Sequence, residues 1–182
     1  MMGTKALESA AVRQSFRISP ALDDNQIARA YLRFHDEKLL PVIFSQGIPT
    51  IKAFLNLHDQ KSVKFLGGFV YPSPTLDSTG FAGMGWLSNL QNGRGEVGFG
   101  YFREYWGRGI PLALTRLMVQ YCFEELNLDA LYGSIPVPNV FGRKMAREIG
   151  FTEVGPLPIW SQWRGIRCDG MLLHLAKEAY VF

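Results

Sequence analysis

Cysteine and histidine are scarce in this chain: two of the first, Cys122 and Cys168, and three of the second, His35, His58 and His174, among 182 residues. So few thiols, so far apart, build neither a disulfide framework nor a zinc site, and both are expected as reduced, buried thiols. The three histidines show no metal-ligand spacing, so no metal is expected. The chain also lacks any run of Lys or Arg, although its net charge is +3 and its pI is near 8.9. Such mild basicity suits an anionic ligand but leaves no footprint for nucleic acid. No stretch approaches the roughly 20 uninterrupted apolar residues of a membrane helix, which argues against a membrane partner. The first 16 residues interleave Lys5, Glu8, Arg13 and Gln14 with apolar side chains and so do not read as a secretory leader, which predicts a cytoplasmic location. Repeats and low-complexity segments are absent.

What is present is a globular composition, 47% hydrophobic and 19% charged. A chain of this length buries a sizeable core as one domain, and residues 1–182 are read as a single unit. The spacing predicts a strand near Ser15–Ile18, then a helix opened by Asp23-Asp24 with Ile27, Tyr31 and Phe34 inward. A second helix is expected from Thr50, with Ile51, Phe54 and Leu55 inward. The stretches 63–71 and 81–87 read as adjacent antiparallel strands across a turn-rich segment from Pro72 to Gly80. A turn at Gln91-Asn92-Gly93 leads into a strand over 95–102. Leu114, Leu117, Met118, Tyr121 and Cys122 then mark a helix over about 111–126. A strand over 130–135 follows, then a helix capped by Asn139, with Phe141, Met145 and Ile149 inward and Gly150 at its end. The tail from Phe151 to Leu175 is expected as two strands joined by an irregular loop around 160–167, because Pro156, Pro158 and Gly165 interrupt it. The order βααβββαβαββ predicts an α+β fold with helices on both faces of a mixed sheet. Three consecutive central strands exclude a doubly wound dinucleotide fold.

Between the strand ending at Phe102 and the helix from Pro111 lies Arg103-Glu104-Tyr105-Trp106-Gly107-Arg108-Gly109. Glycines at such a junction let backbone N–H groups converge on an anion, and the helix dipole adds positive potential, so a pyrophosphate is the natural guest. Arg103 and Arg108 stand where guanidinium groups meet phosphate. Taken alone the turn is equally readable as a tight connection, and it lacks the Lys-Ser/Thr pair that a P-loop nucleotide switch places after its glycines.

Three runs in order resemble the GNAT superfamily of N-acetyltransferases. The run from Gly95 to Gly109 resembles its Gln/Arg-X-X-Gly-X-Gly/Ala signature, with Glu104 in the Gln/Arg place, and is most similar to the ribosomal-protein alanine acetyltransferase branch. Asn139 to Phe151 resembles the second motif, an asparagine-capped helix closed by Gly-Phe, and Arg164 to Leu173 the closing strand. The resemblance implies a seven-stranded, mostly antiparallel sheet whose fourth and fifth strands splay around acetyl-CoA. It implies that the cofactor's pantetheine pairs with backbone at Tyr101, Phe102 and Arg103, that its phosphates meet Trp106, Gly107, Arg108, Gly109 and Ile110, and that Asn139 touches the pantetheine arm. Arg143 and Lys144 are further candidates, toward the 3′-phosphate; a helix cap for Asn139 and a solvated helix face for the two cations remain the alternatives.

The implied reaction is direct attack of a primary amine, from a protein N-terminus or a small molecule, on acetyl-CoA. Glu96 is the candidate base, with a structural ion pair as its rival, and a backbone N–H near Phe102 is the candidate for polarising the carbonyl. Many family members carry a helix tyrosine as general acid where this chain has Ala146, and Gly142 replaces a frequent serine; Tyr132 or water is the substitute. Trp160 and Trp163 are candidate acceptor-pocket residues. A CoA-binding module without turnover is the competing reading, and a homodimer is left open.

Overall fold

The computed structural model describes residues 16–20, 22–44, 48–58, 63–70, 79–164 and 166–181, together with all but the side chains of Val42, Trp160 and Gln162 within them. Ser15, Tyr71 and the turn residues 72–78 therefore lie outside the described residues, as does the Trp160 side chain. The strands are β1 Phe16–Ser19, β2 Lys64–Val70, β3 Phe81–Gln91, β4 Arg94–Tyr101, β5 Ala130–Pro136, β6 Thr152–Trp163 and β7 Ile166–Ala176. The helices are α1 Asp24–Asp36, α2 Leu40–Ile43, α3 Ile51–His58, α4 Ile110–Glu124 and α5 Val140–Ile149. Among the described residues one seven-stranded sheet runs β1-β2-β3-β4-β5-β7-β6, and of its pairings only that of β4 with β5 is parallel. The α+β class, the seven strands and the element order agree with the sequence reading; the short α2, with Pro41 in its first turn, is an addition.

Local chemistry accounts for the boundaries. Asp23 and Gln26 form a reciprocal capping box at α1, and Thr50 Oγ1 accepts the Ala53 N–H at α3. Asn92 and Gly93, at φ 49° and 71°, close the β3–β4 hairpin with the two left-handed residues that match strand twist. Helices α1–α3 cover one face, burying Ile27, Phe34 and Phe54 against Phe65, Met84 and Phe102. Helices α4 and α5 cover the other, burying Met118, Phe123 and Ile149 against Leu87, Leu131 and Leu175. Cys122 sits in that second core, where burial pushes its thiol up to about 12, while Cys168 is half-buried; both are free.

Two expectations are corrected. Phe141 is 88% exposed rather than inward. The face of α5 that meets the sheet is Gly142, Met145, Ala146 and Ile149, spaced i, i+3, i+4 and i+7, and Phe141 points away from it. In place of the irregular loop expected around 160–167, β6 runs to Trp163 and β7 starts at Ile166, in the register Ser161–Cys168, Gln162–Arg167 and Trp163–Ile166. Pro156 and Pro158 fail to break β6 because it is the sheet edge, where no second ladder partner needs their missing N–H, and the pairing with β7 absorbs register shifts between Glu153 and Gly155 and between Leu157 and Ser161.

Candidate active site

β4 and β5 stay in register for three pairs only, Arg94–Ala130, Gly95–Leu131 and Glu96–Tyr132. Past Glu96, β4 continues on β3, and past Tyr132, β5 continues on β7, so the two strands part. The gap is a groove of about 450 Å³, walled by Val97 to Phe99, Gly133 to Pro136 and the inner face of α5, with Phe44 and Trp86 across it. Trp86 stacks on Phe44 with centroids 5.6 Å apart, and Gly98 makes room for it: a Cβ at Gly98 would fall 2.2 Å from the indole.

The glycine turn follows β4 and leads into α4, whose Thr115 lines the groove. A 3₁₀ turn over Arg103–Tyr105 precedes it, and Gly107 and Gly109 adopt φ 71° and 72°. A Cβ at either position would meet nothing within 4 Å, so glycine is required by the backbone angle and not by packing. Gly109 is the N-cap of α4, with no side-chain cap bond, so the first amides of a 15-residue helix face outward. Arg103 and Arg108, both exposed, flank them, and Arg103 lies 5.5 Å over the Trp106 ring. Together these groups fit an anionic, phosphate-bearing ligand.

The segment just before the turn is held by hydrogen bonds within the protein. Tyr101 Oη bonds Thr115 Oγ1 at 2.7 Å in the core, and burial raises its phenol above the usual range. Its carbonyl accepts Trp106 Nε1 at 2.9 Å. The Phe102 N–H donates to Ala82 O at 3.0 Å, and the Arg103 N–H donates to Glu37 Oε2 at 2.8 Å. These backbone groups of Tyr101, Phe102 and Arg103 thus make hydrogen bonds within the protein, with which a pantetheine arm or a substrate carbonyl would compete. The parting edge of β4 from Val97 onward borders the groove. Glu104, in the Gln/Arg place of the signature, pairs with Arg33 of α1, which also binds Glu37 at 3.0 Å and stacks 3.9 Å from the Phe102 ring. Sequence reasoning missed Arg33 and Glu37; their i, i+4 spacing reads only as an ordinary surface pair.

On the far wall, Asn139 caps α5 by accepting the Gly142 N–H at 3.0 Å and also lines the groove. Gly142 is explained by crowding, since a Cβ there would sit 2.5 Å from Ile135 Cδ1 and 2.8 Å from Asn139 Nδ2. Ala146 lines the same wall, with no hydroxyl to offer. Arg143 makes a two-pronged pair with Glu153, at 2.8 and 2.9 Å, and its hydrogen bonds hold that carboxyl below its usual range. The guanidinium therefore ties α5 to β6 in competition with any phosphate role. Lys144 stays exposed near Glu148.

Where the strands part, Glu96 projects on the α1–α3 face, and Asn89 Nδ2 donates to its Oε2 at 2.8 Å. No ion pair to Glu96 occurs among the described residues. Asn89 adopts φ 52° at the irregularity between Ser88 and Gln91, a conformation that no sequence signal marked. Tyr132, across from Glu96, packs its ring 4.8 Å from His174 and borders a second recess rather than the groove, so it is not placed to protonate a thiolate leaving there. Among the described residues no cluster of His, Cys, Asp and Glu suits a metal, and no helix is long and apolar enough to cross a membrane.

These features agree with comparisons to known proteins. The sequence profile described as Acetyltransferase (GNAT) domain matches residues 26–152, more than half of the chain. Uncharacterized N-acetyltransferase p20 of Bacillus licheniformis is 27% identical over 94 residues, covering 52% of this chain and 53% of that protein. YdaF of Bacillus subtilis (strain 168), provisionally named a ribosomal N-acetyltransferase, is 37% identical over 100 residues, 54% of this chain and 55% of its own. The chain thus spans about half the length of these relatives. Among solved structures, spermidine N-acetyltransferase from Vibrio cholerae, in complex with CoA and spermine, superposes with a TM-score of 0.77 at 16% identity, over 92% of this chain and 98% of that one. The fold, the parted strands with their glycine turn and the profile match agree: the chain belongs to the GNAT family of acetyltransferases.

Proposed function

We propose that the protein transfers an acetyl group from acetyl-CoA to a primary amine, both substrates being held together. The observation that supports this reading is the uncapped N-terminus of α4, with two glycines at positive φ, in a chain whose parted β4 and β5 open a groove lined by Glu96 and by Thr115 of α4. The amides at Gly107 to Ile110, with Arg108, hold the pyrophosphate, Trp106 keeps the turn in shape through Tyr101, and Asn139 offers an amide to the pantetheine arm. Bound there, acetyl-CoA supplies an activated acyl carbon and a thiolate leaving group. Glu96 takes the proton of the amine, its carboxylate oriented by Asn89. A thiol with a pKa of roughly 8.5, by analogy with cysteine, leaves without strong acid assistance, which suits a wall that carries Ala146.

The names of the relatives keep the acceptor at the level of an amine: one points to a ribosomal substrate and one solved structure contains spermine. Ala146 favours a second reading, a CoA-binding module without turnover. Thiol release from acetyl-CoA with a panel of peptide amines and polyamines decides between them. Release that depends on an acceptor is expected; tight CoA binding with no release on any acceptor would leave the module.

A further inference from the structure

Beside the groove lies a second recess of about 460 Å³, lined by Asn89, Gln91, Asn92, Arg94, Glu96 and Tyr132. Only Asn89 and Glu96 are shared between the two cavities, so the Glu96 carboxylate stands at their common wall. On β4, Gly95 is buried, and a Cβ there would meet Leu87, Leu90 and Leu128 on the α4 side. Arg94 and Glu96 therefore project together from the opposite face, two residues and roughly 7 Å apart along the strand. Opposite charges so placed commonly pair, yet Glu96 is engaged by Asn89, and Arg94 forms no ion pair among the described residues. Asp129, the nearest acid to the Gly93 turn, is not part of the recess lining.

Resting on the acetyl-transfer reading, we infer that this recess receives the acceptor, and that the acceptor is an anion-bearing peptide amine whose carboxylate meets Arg94 while its N-terminal amine meets Glu96. A dipolar ligand satisfies both charges at once. The side-chain amides of Asn89, Gln91 and Asn92 suit the N–H and C=O groups of a peptide, and Tyr132 gives its first side chain an aromatic wall. A polyamine satisfies Glu96 with one ammonium but sets its next one toward Arg94, where like charges repel. The recess thus selects against polycations through one residue that the proposed chemistry does not use.

The test is steady-state thiol release with three acceptors, Ser-Asp-Gly amide, Ser-Lys-Gly amide and spermidine, on the full chain and its Arg94→Glu and Arg94→Gln variants. Wild type is expected to favour the aspartyl peptide about tenfold in kcat/KM over the lysyl peptide and over spermidine. Arg94→Glu should invert that ranking, Arg94→Gln should flatten it, and CoA affinity should stay constant in both. Equal rates for the two peptides, a wild-type preference for spermidine, or a ranking indifferent to Arg94→Glu would overturn the assignment while leaving acetyl transfer intact. Should no acceptor release thiol, the transfer reading fails by itself, and calorimetry of Ser-Asp-Gly amide with the CoA-saturated protein decides the recess. Binding lost in Arg94→Glu supports it, and no binding to wild type removes it.

Discussion

The glycine-turn clamp and the Glu96 end of the groove are built by different means. At the clamp end, the residues from Tyr101 to Trp106 are fixed by a β-ladder amide, an indole bond to a carbonyl, and a carboxylate of α1 that receives the Arg103 N–H. Two further ion pairs converge on the same loop through Arg33. At the Glu96 end, a half-buried carboxylate is held by a side-chain bond from Asn89, whose backbone is left-handed at φ 52°. The contrast teaches which functions tolerate redundancy. On the proposed reading, the ligand common to the family is met by backbone that many bonds pre-position, whereas the acceptor is met by single side chains that can change without disturbing the fold.

The largest break in this comparison comes at the sparse end. Glu96→Gln keeps the size of the side chain and an oxygen for Asn89 but removes the base, so turnover is expected to fall about 100-fold or more with CoA affinity unchanged. Kinetics beside calorimetry read both quantities, and wild-type kcat would take Glu96 out of the mechanism. At the redundant end, the vulnerable positions are the ones no neighbour can replace. Gly109→Val forces a β-branched residue to φ 72°, at a cost of about 1–2 kcal/mol, and sets methyl groups where a phosphate would approach. CoA affinity should drop at least tenfold; unchanged affinity in a folded variant would sink the clamp.

The same asymmetry decides what could be read from the sequence. Element order, the hairpin at Asn92-Gly93, the caps at Asp23 and Asn139, and the helix after the glycine turn were legible because each follows from local periodicity or turn chemistry. Phe141 was misread because a helix of ten residues offers two overlapping apolar stripes, and only the sheet beneath chooses between them. The β6–β7 hairpin was misread because prolines break interior strands, and nothing in the sequence says that β6 is an edge. In the site, glycines announce a backbone conformation whatever surrounds them. The commitments of Tyr101, Phe102 and Arg103 to Trp106, Ala82 and Glu37 depend on side chains and strands that only folding brings near. Arg94 and Asn89 carried no signal, since an exposed arginine and a strand asparagine are ordinary surface residues until they border one cavity.

The smallest predicted effect tests whether the clamp's anchoring contributes to ligand binding. Glu37 has two consequences of opposite sign for an anionic ligand. Its carboxylate positions the Arg103 N–H and Arg33, and its negative charge opposes a phosphate nearby. Glu37→Gln keeps an oxygen for the N–H and drops the charge, whereas Glu37→Ala drops both. If anchoring dominates, alanine weakens CoA about threefold and glutamine leaves it near wild type, a difference under about 1 kcal/mol that is fitting for a solvent-screened contact. If charge dominates, both variants bind CoA more tightly, and the gain shrinks as salt is raised. We expect the first pattern, because Arg33 and Glu104 already pair beside Glu37 and dilute its field, while no other described group receives the Arg103 N–H.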